Sequence, residues 1–203
     1  MSQASGHIHP TADVAESATV PVSAKVWNYS QIREHAVLGE NCVIGRSAYI
    51  GEGVRLGDNC KVQNNALVYE PASIADGVFI GPAVVLTNDQ FPRAINADGS
   101  LKSADDWTPV GVTIEHGASI GARSVCIAPV TIGRWALVGA GSVVVKNVPD
   151  FALVVGNPAR RVGWVGQEGV PLVNVSDDEW ACPRTSRKYR QVGPDLLVEK
   201  EEQ

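Results

Sequence analysis

The chain has 203 residues, of which one is Met, 10 are Leu and only 6% are aromatic. Helical bundles draw their cores from Leu and Met, and β-sandwiches from large rings. Neither is expected. No basic excess exists; the formal net charge is −5, which argues against a nucleic-acid binder. No window approaches 18 uninterrupted apolar residues, so no membrane span is expected. The first 25 residues lack a basic start and an apolar run, so no secretory signal is expected either. The four Cys (42, 60, 126 and 182) form no CxxC pair and read as reduced thiols of a cytoplasmic protein. Against these shortages stand 30 Val, 11 Ile and 20 Gly. Hydrophobic residues make up an ordinary 44%, so the core is normal in amount and unusual in kind.

The excess is periodic. Steps of six from Ile8 meet Val14, Val20, Val26, Ile32, Leu38, Ile44, Ile50, Leu56, Val62, Val68, Ile74, Ile80 and Leu86. Four residues after each stands a small residue or Val, from Ala12 to Val84. In a new phase the large positions are Ile114, Ile120, Cys126, Ile132, Val138 and Val144. Each hexapeptide reads as a short strand and a turn, and three close a triangular coil of 18 residues. Coils stack at the strand-pairing distance of about 4.8 Å. The expected fold is all-β: a parallel β-helix of roughly seven coils, too narrow for many rings. Cys42 and Cys60, 18 apart, should stack as buried thiols, and Cys126 takes an inward site.

The period breaks at residues 88–113, NDQFPRAINADGSLKSADDWTPVGVT. Its Pro, Gly, Asn and Asp content says loop, and a loop this long is commonly functional. Phe91, Arg93 and Trp107 give it an aromatic and cationic content unlike a linker. Residues 1–166 are therefore read as one β-helix domain with this inserted loop, and 167–203 as a C-terminal extension. In the extension, Trp180, Cys182 and Tyr189 suggest an ordered strand pair against the coil end, with the final EKEEQ frayed.

The hexapeptides, together with Gln63-Asn64-Asn65, Thr87-Asn88-Asp89-Gln90-Phe91-Pro92-Arg93 and Gly156-Asn157-Pro158-Ala159-Arg160, resemble the hexapeptide-repeat acyltransferases over residues 8–166. The likeness is to the sugar-nucleotide 3-N-acetyltransferases, and within them to the branch acting on UDP-2-acetamido-3-amino-2,3-dideoxyglucuronate. That resemblance implies a left-handed coil and a homotrimer with active sites between subunits. It implies acetyl transfer from acetyl-CoA to a sugar 3-amino group, in cell-surface polysaccharide synthesis. Asp89 after Asn88 is similar to the cousin branch acting on dTDP-3-amino-3,6-dideoxyhexoses, which is the alternative acceptor class.

Acetyl transfer needs a neutral amine in line with the thioester and a donor for the developing oxyanion. Asn88 matches the family residue at the reacting amine. Asp89 is the candidate proton acceptor. Arg93 offers a planar fork for a diphosphate or a sugar carboxylate. Asn64, Asn65 and Arg46 lie on another corner and suit hydroxyls and phosphates; Glu70 neighbours Asp89 in the coil arithmetic, with Asp89 over Pro71. As in related β-helices, coenzyme A should follow the last coils along Ala122, Ala140 and Gly141, its phosphates near Lys146 and Arg160. No resident metal is expected. His7 and His9 read as capping residues and His116 as an exposed turn. His35, about 14 Å from Asp89 along the axis, is the best imidazole candidate if a neighbouring subunit brings it closer. A zinc hydratase of the γ-carbonic anhydrase type would need three clustered His. A noncatalytic assembly protein would not need the loop motif.

Overall fold

The computed structural model describes residues 7–200, and the six-residue period becomes a left-handed parallel β-helix. Its strands are mostly two residues long. The first face stacks His7–Ile8, Lys25–Val26, Val43–Ile44, Lys61–Val62, Phe79–Ile80, Ser119–Ile120, Leu137–Val138 and Ala152–Val155. The second face stacks seven strands from Asp13–Val14 to Val143–Val144, and the third five from Val37–Leu38 to Val130–Ile132. These strands pair in parallel, with an 18-residue register as in Lys25↔Val43 and Leu67↔Val85, except across residues 88–111, where it is 40 as in Phe79↔Ser119, and at the last coil, where Leu137 pairs with Leu153. The first face thus shows eight stacked coils, where the period predicts about seven. The eighth arises because Ala152–Val155 rejoins the sheet after a shortened final turn.

Physical chemistry explains why so short a repeat folds. From Lys25–Val26 through Val85–Leu86 the second residue of each strand points inward and is buried: Ile44, Ile50, Val62, Val68 and Leu86 are 0% exposed. Each such side chain contributes roughly 1.5–3 kcal/mol when fully buried. Corners turn through a residue with left-handed backbone. Down the edge between the first and second faces these are Tyr29, Ser47, Asn65, Ala83 and Arg123, with φ of 55–60°. This is a costly conformation for a residue with a Cβ. The stack compensates by bonding each corner to the coil below: Asn65 N–H donates to Arg46 C=O at 2.9 Å, and Ala83 N–H to Asn64 C=O at 2.9 Å. Side chains add rungs, Asn64 Oδ1 accepting from Arg46 N–H at 2.9 Å. Burial alone raises the Cys126 thiol to about 12, so it acts as filling.

The prism does not end on an open coil. Arg160–Trp164 runs back antiparallel along Ala152–Val155. A four-stranded antiparallel sheet follows: Val173–Asn174, Glu179–Ala181, Lys188–Gly193 and Leu196–Glu199. The expected strand pair is therefore a four-stranded sheet. Trp164 and Tyr189 are buried to within 1% at its junction with the coil, and Tyr189 stacks on Phe151 at 5.5 Å. Cys182 is buried in it. The terminal EKEEQ is not frayed throughout: Glu199 ends the last strand and Lys200 pairs with Glu179. Residues 201–203 of that expectation lie outside the described ones.

Candidate active site

Three edges join the three faces, and the sequence-predicted site residues divide among them. The edge between the second and third faces carries Glu34 and His35, Glu52 and Gly53, Glu70 and Pro71, Asn88, then Lys146 and Asn147. The insertion leaves this edge at Asn88. Ile74 pairs with Ile114, 40 residues on rather than 18, so 22 residues are inserted. The neck is closed: Asn88 C=O accepts from Val110 N–H at 2.9 Å, and Thr87 Oγ1 accepts from Ala128 N–H at 3.0 Å. The third face resumes at Val112. Gly111 makes the return possible, because a Cβ there would sit 2.6 Å from Pro71 O. Register places Gly111 over Pro71, not Asp89 as the coil arithmetic has it; the chain has already left the coil at Asp89.

Inside the insertion, order is local. Lys102 N–H donates to Ala94 C=O at 3.1 Å, and Asn96 N–H to Ser100 C=O at 2.8 Å. Ser103 caps the short 3-10 turn Ala104–Asp106 in a reciprocal bond with Asp106. The Ser103 backbone N–H and hydroxyl hold the Asp106 carboxyl below its usual range, and Ser100 does the same to Asp98. No residue from 89 to 110 is fully buried. Phe91, Ile95 and Leu101 are 76%, 53% and 79% exposed.

The insertion carries an open pocket of about 510 Å³ lined by Asp89, Arg93, Ala94, Leu101, Lys102, Ser103, Ala104 and Trp107. Two cations, one carboxylate and one indole converge there. Asp89 Oδ1 accepts from Phe91 N–H at 2.8 Å and, among the described residues, Oδ2 has no hydrogen-bond partner and the guanidinium of Arg93 reaches only Pro92 C=O, at 2.9 Å. Sequence reasoning found Asp89 and Arg93 and missed Lys102, since nothing in a non-periodic segment signals which Lys will face inward.

Glu70 is brought near Asn88 in register but folds back over the preceding coil. Its Oε2 is buried without a hydrogen-bond partner and lies over Gly51, 2.2 Å from where a Cβ would be built. It takes the place that Asp58 and Asp76 occupy on another edge, where such side chains accept from a backbone N–H one coil below.

The first-to-second edge holds Arg46, Asn64 and Asn65, then Ala122, Ala140 and Gly141, in one stacked series. Ala140 and Gly141 are exposed, and Gly141 (φ +71°) has open space around it. This small-residue stretch leaves the backbone open to a flexible acyl carrier. Lys146 is not with it, standing on the insertion's edge instead. Arg160 follows the last corner, its guanidinium on Ala159 C=O at 2.8 Å. Arg161 is engaged by the extension, stacked 4.2 Å over the Trp164 ring and paired with Asp195. His35 and His116 lie on different edges, and among the described residues no cluster of three His, Cys, Asp or Glu could hold a metal.

A family profile, the hexapeptide repeat of succinyl-transferase, matches residues 36–70 and 111–146. The dTDP-3-amino-3,6-dideoxy-α-D-galactopyranose 3-N-acetyltransferase of Aneurinibacillus thermoaerophilus is 57% identical over 54 residues, 27% of this chain and 28% of that protein. The chain thus spans under a third of the length of that relative. A hexapeptide-repeat acetyltransferase of Vibrio cholerae, solved with acetyl coenzyme A, is 27% identical over 65% of this chain and 72% of its own, with a TM-score of 0.54. A Bacillus cereus structure shares the fold at 24% identity, covering 77% of this chain and 80% of its own, with a TM-score of 0.55. By its repeat, its prism and these likenesses, this chain carries hexapeptide repeats and is similar to acetyltransferases built on the same repeat.

Proposed function

We propose that the protein is an acetyl-CoA-dependent N-acetyltransferase that acylates the 3-amino group of a nucleotide-linked amino sugar. The observation that carries this reading is the insertion pocket beside Asn88, with Asp89, Arg93, Lys102 and Trp107 on its walls. The amine lone pair attacks the thioester carbon, the C–N bond forms and the C–S bond breaks. Asn88 orients the amine or donates to the developing oxyanion; one such donor is worth roughly 3–4 kcal/mol. The free oxygen of Asp89 accepts the amine's proton, and the departing coenzyme A thiolate is protonated in turn. The pantetheine arm lies along Ala122, Ala140 and Gly141.

Two cations in the pocket favour an anionic sugar, so UDP-2-acetamido-3-amino-2,3-dideoxyglucuronate is the preferred acceptor and its synthesis serves cell-surface polysaccharide. The dTDP-3-amino-3,6-dideoxyhexoses are the second reading, favoured by the Aneurinibacillus relative. Both substrates and acetyl-CoA place the enzyme in the cytoplasm. No helix of the described residues is long and apolar enough to cross a membrane.

One chain splits the machinery between two edges separated by the second face. Above Asp13 and Gln31, which bond to each other on its first two strands, that face presents Tyr49, Leu67, Val85, Val125 and Val143 outward, with Ile127 and Val145 exposed beside it. The third face presents Arg55, Ser73, Thr113 and Thr131 instead. An apolar face of this kind calls for cover. A homotrimer packed on it brings one protomer's insertion against the next protomer's first-to-second edge and covers Phe91, Ile95 and Leu101. A panel of UDP- and dTDP-linked 3-amino sugars with acetyl-CoA, followed by thiol release, tests the reaction. Turnover of the uronate that falls about tenfold in Lys102→Met supports the anionic acceptor; turnover of none of the sugars sinks the reading. Sedimentation that finds a monomer at micromolar concentration removes the trimer.

A further inference from the structure

The N-terminal half of the first-to-second edge carries groups that none of these roles uses. At its lowest coils Trp27 and Tyr29 stand 47% and 58% exposed, although rings are scarce in this chain and the prism interior admits none of them. The Arg46 guanidinium, one coil higher, lies 5.5 Å over the Tyr29 ring. Among the described residues it has no carboxylate partner. Asn64 and Asn65 follow on the next coil and Pro82 on the one above.

The corner that presents the rings is stiff. Ser30 is fully buried, its hydroxyl shared between Trp27 C=O at 2.6 Å and Gly45 C=O at 2.9 Å. Tyr29, at φ +59°, donates its N–H to Thr11 C=O at 3.2 Å. A corner held this way has little backbone freedom left to lose when a planar ligand stacks on its ring.

The order along the edge is therefore aromatic ring, guanidinium, carboxamides, then small residues. From Tyr29 to the coil of Ala83, which also bears Asn88, is three coils, about 14 Å. That is comparable with a base, a ribose and two phosphates laid end to end. We propose that Trp27, Tyr29 and Arg46 form the subsite for the nucleoside diphosphate half of the substrate, the base on Tyr29 and the diphosphate on Arg46. This inference rests on the nucleotide-sugar reading above. It adds that the sugar enters from the N-terminal end of the edge and acetyl-CoA from the C-terminal end. The two meet at the level of Asn88.

Coenzyme A also contains a nucleoside diphosphate, so the test has separate arms. Titration calorimetry of the intact oligomer with UDP, with dTDP and with coenzyme A is run on wild type, Tyr29→Ala, Tyr29→Phe and Arg46→Gln, folding being checked by circular dichroism. The expected result is an affinity for UDP or dTDP about tenfold weaker in Tyr29→Ala and in Arg46→Gln, in the range for loss of one stacked base. Tyr29→Phe retains it, and coenzyme A binds all four alike. Nucleoside diphosphates that bind every variant as they bind wild type overturn the subsite and leave the nucleotide-sugar reading standing. Coenzyme A weakened in place of UDP assigns the shelf to the cofactor and overturns it too. Wild type that binds coenzyme A and neither nucleoside diphosphate removes the nucleotide-sugar reading itself. A change of oligomeric state in Tyr29→Ala, seen by sedimentation, makes the rings a subunit contact and ends the proposal.

Discussion

The prism and its insertion solve the same problem, satisfying a backbone, in opposite ways. In the prism corners bond to the coil beneath them and, above the first coil, inward side chains are buried, so order spreads through the stack. In the insertion no residue is fully buried, and order comes from short-range bonds such as Asp98–Ser100 and Ser103–Asp106. Local bonds position groups without consuming a core. The contrast teaches that here stability belongs to the repeat and chemistry to its interruption, a rigid scaffold presenting a loop.

The comparison can be broken most directly by excision. Replacing residues 90–109 with a short Gly-Ser link should leave the denaturation midpoint nearly unchanged and reduce acetyl transfer about a thousandfold, close to 4 kcal/mol of barrier. A collapse of the fold would show the insertion to be structural. Next in size is a prism substitution. Ile80, 1% exposed, replaced by Ala should cost about 3 kcal/mol in urea unfolding; a loss below about 1 kcal/mol would mean the stack does not depend on its inward residues. Asn88→Ala, at the neck, should lower kcat about a hundredfold, roughly 2.7 kcal/mol, with acetyl-CoA affinity retained. Unchanged turnover removes Asn88 from the mechanism.

The smallest effect sharpens the contrast through pH. The Asp98 and Asp106 carboxyls are held below their ordinary range by Ser100 and Ser103. A depressed folded-state value favours order at neutral pH, and that contribution is lost as pH falls from about 4 through the folded value. Amide exchange over residues 96–106, corrected for intrinsic rates, should therefore accelerate in acid while the coil amides stay protected. Equal acceleration in both regions would contradict the division.

The same division governs what could be read from the sequence. Periodicity located nearly every inward residue, because a coil of fixed length turns spacing into stacking. The shared corner of Arg46, Asn64 and Asn65 followed from that arithmetic and is present. The arithmetic misled at the first residue past the interruption, setting Asp89 where register puts Gly111. Lys102 escaped notice, and the cap was expected as a strand pair where four strands form, because neither obeys the period. The cap's Trp164 and Tyr189 find there the volume that the prism denies to rings.

The 18-residue register has one more consequence. Apart from the coil that bears the insertion and the shortened last one, each coil converts 18 residues into the same rise of about 4.8 Å, so the molecule is a ruler graduated in its own sequence. The aromatic shelf, the neck of the insertion and the small-residue stretch are marks on that ruler. Whole coils gained or lost between them would lengthen or shorten the molecules that fit without disturbing any corner. The reversed strand at Arg160–Trp164 is the stop at its end.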